Sequence, residues 1–163
     1  MSRMNEQAAG QEEIEQGMTL IRGPNADICE SSMLAFVADY HLTTGDVEKG
    51  LSAVEESRAV ATERISDTDR LRLHGELLAM RDPAAAEPIL RDALATAQRQ
   101  KSLSMALRSA LSLYRLLDKD GRTAEGRTLL KPIYERFTEG FDTTDMVEAA
   151  AILQASHRPT HDA

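Results

Sequence analysis

The sequence predicts an all-α fold built from about three and a half antiparallel helix hairpins and a C-terminal capping helix. Three observations predict it. Residues that lose little on entering a helix, such as Ala, Leu, Glu and Arg, dominate the 163-residue chain, and only 4% of its residues are aromatic. A pattern of small and apolar residues recurs four times, with successive occurrences 40, 36 and 40 residues apart. Short turns separate the amphipathic segments, which favours antiparallel pairing of neighbouring helices.

The recurring pattern has its members at positions i, i+4 and i+7, which lie on one face of a helix. We expect this face to be the packing face, where the small members let a neighbouring helix approach closely. The four occurrences are Gly10, Ile14 and Gly17; Gly50, Val54 and Ser57; Ala86, Leu90 and Ala93; and Gly126, Leu130 and Ile133.

The predicted elements follow in order along the chain, as one repeat domain at 5–155 between disordered ends at 1–4 and 156–163. The domain comprises an orphan helix at 5–22, hairpins at 31–63, 68–100 and 103–137, and a capping helix at 144–155. Within the hairpins, helices are predicted at 31–43, 46–63, 68–80, 83–100, 103–118 and 122–137. One hairpin cannot bury its apolar face alone, so the hairpins are expected to stack side by side and share one hydrophobic core.

The turns carry recognisable stop and start residues. Gly45 can close one helix in the left-handed conformation, and Asp46 can cap the next. Asp82 followed by Pro83 is typical of a helix start. Before the last helix, Gly140 is expected to act as a stop, and the capping residues are expected within 142–145.

Three segments resemble tetratricopeptide repeats: Val37 to Gly50, Leu71 to Ala93 and Leu113 to Ile133. The consensus Trp is replaced by aliphatic residues, and the usual closing Pro is absent. The resemblance implies a right-handed superhelical α-solenoid that acts as a non-catalytic protein-interaction scaffold.

A narrower similarity covers about Gly10 to Leu153. The segments His74 to Leu78, Asp82 to Ala84 and Phe137 to Thr143 resemble the C-terminal repeat region of large bacterial signalling ATPases, which are often fused to nucleotidyl cyclase or transcription-regulator domains. This similarity implies a regulatory or partner-binding arm in bacterial signalling or transcription control. On this similarity, the chain is expected to carry only the arm, as a fragment or as a detached descendant of such a protein.

The formal net charge of −8 disfavours nucleic acid and membrane surfaces as partners. Cys29 is the single cysteine, so no intrachain disulfide can form, and neither an export signal nor a membrane span is visible. These features favour a cytoplasmic protein. Arg64, Arg70, Arg72 and Arg81 alternate with acidic residues, a pattern typical of a solvated helix face.

No catalytic, cofactor or metal site is predicted, and the chain is not expected to be an enzyme. Gly45 to Ser52 has the glycines of a phosphate loop but Leu51 in place of the lysine, and it lies between two helices. His41 and His74 are interpreted as helix-face residues. His157 and His161 are separated by Pro159, which opposes a helix that would align them.

The resemblance to stacked hairpins implies that the first helix of each hairpin lines a concave groove. Arg108, Arg115 and Lys119 are hypothesised to favour an acidic or carboxylate-bearing protein or peptide. Two alternatives stay open: a homodimer formed through the N-terminal helix, and a sensor that binds a small ligand or peptide in the groove. The groove candidates are Asp39, Thr43, Arg72, Glu76, Met80, Arg108, Arg115 and Lys119.

Overall fold

The computed structural model of the chain describes residues 27–61 and 67–155, together with positions 10, 12–14, 16, 17 and 19, which are helical. The described residues contain no strand, which confirms the all-α class. Within them, no helix combines the length and hydrophobicity needed to cross a membrane. The predicted disordered ends, 1–4 and 156–163, lie outside the described residues. The helices are α1 (Asp27–Thr44), α2 (Val47–Val60), α3 (Asp67–Ala79), α4 (Pro83–Arg99), α5 (Leu103–Lys119), α6 (Thr123–Tyr134) and α7 (Thr144–Gln154).

Three helix bounds differ from the prediction by three or four residues, and the others agree within one residue. Helix α1 begins four residues early, in a stretch whose acidic residues suit a first helical turn. Helix α2 ends three residues early because Ala61 adopts an extended conformation, although its sequence holds no helix breaker. Helix α6 also ends three residues early. There the N–H groups of Arg136 and Phe137 donate to carbonyls three residues back, which tightens the last turn.

The turn residues behave largely as predicted. Gly45 has a φ of +78°, which a residue with a side chain rarely adopts. The carboxylate of Asp46 accepts from the Lys49 N–H at 3.3 Å, and that of Asp82 accepts from the Ala85 N–H at 3.1 Å. The start of α7 differs, because the hydroxyl of its N-cap residue Thr143 donates back to a carbonyl in the preceding turn, at 2.8 Å, instead of accepting from a helix amide.

The chain divides into two compact units, Met1–Ile89 and Leu90–Ala163, with the division inside α4. In the first unit, α1 and α2 form an antiparallel hairpin, and α3 packs against both. Gly50, Val54 and Ser57, the small-residue set of α2, are buried as predicted. A Cβ atom at Gly50 would lie 2.5 Å from Cδ2 of Leu77, so α2 approaches α3 at a point where no side chain fits.

A buried polar network joins the three helices of the first unit. Arg70 on α3 is 4% exposed and donates to the Ser31 hydroxyl at 2.8 Å, and it also pairs with Asp67. The Ser57 hydroxyl donates to the Ser31 carbonyl at 2.7 Å. The expectation of a solvated face around Arg70 was therefore wrong. Its charge is satisfied inside the protein, and Ser57 serves both as a small packing residue and as a hydrogen-bond donor.

In the second unit, α5 and α6 form a hairpin, and α7 packs against both of its helices. The predicted set Gly126, Leu130 and Ile133 is buried on α6. A Cβ atom at Gly126 would lie 2.8 Å from Cδ2 and 3.2 Å from Cα of Tyr114. The backbone of α6 at Gly126 therefore packs directly against Tyr114 of α5.

Candidate interaction surfaces

Arg72 on α3 lies at the centre of a cluster of carboxylates, hereafter the Arg72 cluster, in the first unit. Its Nη2 lies 2.8 Å from Oδ1 of Asp69, and its Nη1 lies 2.9 Å from Oε1 of Glu76. Across the helix interface, Asp39 of α1 brings its Oδ1 to 3.7 Å from the same Nη2. One guanidinium therefore faces three carboxylates, and the cluster carries a net negative charge at neutral pH.

The burial of Arg72 corrects the expectation that it lines an open groove as an exposed residue. Only 5% of its surface is accessible. Burial by itself lowers the pKa of the guanidinium, but Asp69 and Glu76 outweigh this effect and hold the pKa above its ordinary value. Arg72 therefore stays charged and ties α3 to α1. Asp39 is the most accessible carboxylate of the cluster, whereas the side chain of Glu76 is only 18% exposed.

Large apolar side chains and a hydroxyl lie exposed near the carboxylates. Phe36, one helical turn before Asp39 on α1, is 68% exposed, and Met80, just after α3, is 53% exposed. Thr43 is also exposed, and its hydroxyl donates to the Tyr40 carbonyl at 2.7 Å. Of the groove candidates in this unit, Asp39, Thr43 and Met80 are accessible. Phe36 was not among the candidates, although its spacing from Asp39 and Thr43 places it on the same helix face.

Two of the three basic candidates in the second unit, Arg108 and Arg115, contact α7. Arg115 holds Glu148 through two hydrogen bonds, from Nε at 2.8 Å and from Nη2 at 2.6 Å. The Nε of Arg108 lies 3.7 Å from Oδ2 of Asp145. Lys119 is exposed at the end of α5. Arg108 and Arg115 do contact carboxylates, but these belong to Asp145 and Glu148 of the same chain.

Four ion pairs between different segments of the described residues have a nearly constant separation along the chain, whereas the pair of Arg108 with Asp145 spans 37 residues. The sequence offered no direct signal for them, because acidic and basic residues are frequent everywhere. Pairs whose members are 33 or 34 residues apart are Asp39 with Arg72, Glu48 with Arg81, Arg91 with Glu125, and Arg115 with Glu148.

A cleft of about 410 Å³ lies in the second unit, between the first turn of α5 and the connector from α6 to α7. Leu103, Leu107 and Met146 contribute its apolar lining, and Arg136 and Glu139 contribute charged groups. The cleft has the size of a small-molecule site.

Among the described residues, no group of three or more His, Cys, Asp or Glu side chains is placed to hold a metal ion. Comparison with protein-family models, with curated proteins and with solved structures finds no match to the chain. The functional assignment therefore depends on the surfaces described above.

Proposed function

We propose that the chain is a non-catalytic scaffold that binds a protein or peptide segment along the first helices of its hairpins. The observation that carries the proposal is the exposure of Phe36 and Met80 in the same unit as the Arg72 cluster. Exposed large apolar side chains close to polar groups are typical of protein-binding surfaces. The partner is proposed to act in the bacterial cytoplasm, in signalling or transcription control, as the resemblance to the signalling ATPases implies.

The chemistry of this surface favours a partner segment that combines an apolar side chain with a basic one. Three carboxylates surround a single guanidinium in the Arg72 cluster, and the whole chain has a net charge of −8. A Lys or Arg of the partner can pair with the accessible carboxylate of Asp39. The apolar side chain beside it can then cover Phe36 or Met80, and this burial supplies most of the affinity.

We also propose that the hairpins belong to a right-handed, tetratricopeptide-like solenoid. The buried small-residue sets of α2, α4 and α6 support this, because they recur 36 and 40 residues apart, which is the period of one helix hairpin. Small-angle X-ray scattering of the purified chain tests the solenoid, since a solenoid gives the distance distribution of an elongated particle and a globular bundle does not, and a crystal structure tests its handedness.

A selection from a displayed library of helical peptides on the immobilised full chain tests the binding function. Peptides with a Lys or Arg one helical turn from a large apolar residue are expected to be enriched. Their binding is expected to fall when Phe36→Ser and Met80→Ser are combined. The matched control is Phe141→Ser, because Phe141 is also a large exposed apolar residue, 51% accessible, but belongs to the second unit. No enrichment, or equal losses in the double variant and the control, would refute the proposal.

The cleft in the second unit favours a second candidate function, the sensing of a small ligand. Its volume of about 410 Å³ and its apolar lining, with Arg136 and Glu139 present, suit an amphipathic molecule that carries a charged group. A thermal-shift screen of metabolites tests this candidate, because a ligand that binds the folded state raises the melting temperature. The shift should disappear when Leu107→Phe fills the cleft.

A further inference from the structure

Helix α7 is held on the α5–α6 hairpin by a specific pattern of charges. Arg108 and Arg115 are seven residues apart on one face of α5, and they meet Asp145 and Glu148, which are three residues apart on one face of α7. The two hydrogen bonds from Arg115 to Glu148 have the geometry of a bidentate guanidinium–carboxylate pair. The α5 face therefore recognises an acidic helix by the positions of its carboxylates.

Few side chains of α7 are fully buried in this contact. Met146 and Ala149 are the buried residues of α7, whereas Val147 between them is 55% exposed. Near the end of the helix, the Nε of Arg127 donates to the Ile152 carbonyl at 3.2 Å. Half-exposed ion pairs contribute little net stability because water already solvates their charges. The contact of α7 with the hairpin is therefore specific in its pattern but limited in the apolar surface that it buries.

The segment that joins α6 to α7 has no regular secondary structure. Residues 135–143 contain no regular helix, and Gly140 within them has a φ of +73°. The exposed Phe141 follows directly. The cleft next to this connector is lined by Leu103 of α5 and by Met146 of α7.

We propose that the α5–α6 face is a docking surface for an acidic amphipathic helix, and that α7 occupies it as an exchangeable ligand built into the chain. A partner helix with carboxylates at positions i and i+3, an apolar residue at i+1 and a small residue at i+4 binds there by displacing α7. This surface and its acidic partner are separate from the Arg72 cluster and its basic partner. The two proposals can therefore fail independently.

Displacement has to overcome the advantage of a tethered ligand. A segment joined by a short connector has an effective concentration on the order of millimolar, so a free helix competes poorly with an intact α7. Weakening the docking of α7 without altering the α5–α6 face should expose the surface. The full chain with Met146→Ser and Glu148→Gln, hereafter the released chain, makes this change.

The experiment measures the binding of a fluorescent peptide, residues 140–155 of this chain, by anisotropy. The peptide is expected to bind the released chain at least about tenfold more tightly than it binds the wild-type chain, since only the wild-type chain keeps its competing helix. In the released chain, Arg115→Glu should abolish this binding, and a peptide with Glu148→Arg should restore it. The control peptide carries Val147→Ser and should bind as the unmodified peptide does, because Val147 lies mostly in solvent.

Equal binding to the wild-type and released chains, no binding to either, or no rescue by the charge swap would overturn the proposal. A wild-type dimer that the peptide dissociates would also overturn it, because the occupant would then be α7 of a second copy. Hydrogen exchange on the wild-type chain gives a test that does not require the released chain to fold. Amides of α7 should exchange through a local opening, well before those of α5, and equal protection of the two helices would contradict the proposal.

Discussion

The contact between Gly50 and Leu77 predicts an unusual outcome for a substitution in a helix, namely that Gly50→Ala destabilises the protein. The new Cβ atom would lie 2.5 Å from Cδ2 and 2.9 Å from Cδ1 of Leu77. Leu77 is fully buried beside Ala53 and Val54 and has little room to move. Overpacking of a core costs about 1–3 kcal/mol, whereas alanine gains about 1 kcal/mol over glycine in a helix. The expected net loss is therefore about 1 kcal/mol.

The sign of this effect should reverse when the obstructing atoms are removed. Leu77→Val lacks both Cδ atoms, so the methyl group introduced at position 50 enters space that the shorter side chain has vacated. In this background Gly50→Ala should stabilise the protein by about 1 kcal/mol, which gives a coupling energy of about 2 kcal/mol. Urea unfolding followed by far-ultraviolet circular dichroism measures all four members of the cycle.

Gly17 provides the matched control, because it is also a helical glycine but a Cβ atom there would meet no other heavy atom of the described residues within 4 Å. Gly17→Ala should therefore cause no loss of stability in either background. If Gly50→Ala stabilises the chain that retains Leu77, or if the two substitutions prove additive, the steric argument is wrong.

Further predictions concern other buried groups. The hydroxyl of Ser109 is buried and has no hydrogen-bond partner among the described residues, so Ser109→Ala should stabilise the protein by about 1 kcal/mol in urea unfolding. Ser112→Ala on the same helix removes a bond to the Arg108 carbonyl and should not stabilise it. Arg72→Met should lower the free energy of unfolding by about 2–3 kcal/mol, because the carboxylates of Asp69 and Glu76 would then face one another without a cation. A melting temperature equal to that of the wild-type protein would contradict this prediction. Burial lowers the pKa of His41 below 6.5, because its effect is larger than the opposite effect of the Asp46 carboxylate. The imidazole of His41 therefore resists protonation in the folded state. The stability contributed by neutral His41 is complete above pH 6.5 and falls as the pH drops below it, and His41→Gln should flatten this part of the pH profile of unfolding.

The elements that the sequence predicts well are those whose physical cause is local. The small-residue sets of α2, α4 and α6 are buried, because residues at i, i+4 and i+7 share a helix face whatever the rest of the chain does. The caps at Asp46 and Asp82 form as predicted because their hydrogen bonds reach only three residues along the chain. The end of α2 at Val60 was missed because nothing in the local sequence opposes a longer helix.

The candidate surfaces were predicted less well, because charge and spacing do not reveal the partner of a side chain. Asp39, Thr43, Met80 and Lys119 are accessible, as the helical spacing suggested. Phe36 lies on the same face as Asp39 but was passed over, since a sequence does not distinguish an apolar residue in solvent from one in a core.

The sequence by itself determined the helical class, the order of the helices, most of their bounds and the face that each turns inward, since these follow from backbone propensity and the helical period. Only the tertiary structure decided which carboxylate each arginine pairs with and whether its guanidinium is buried. Arg72 meets Asp39 from 33 residues away, and Arg115 meets Glu148 across the same separation. Whether a guanidinium is buried, paired or available depends on which helix packs beside it. That depends on free energies summed over the whole core and not on the residues next to it in the chain.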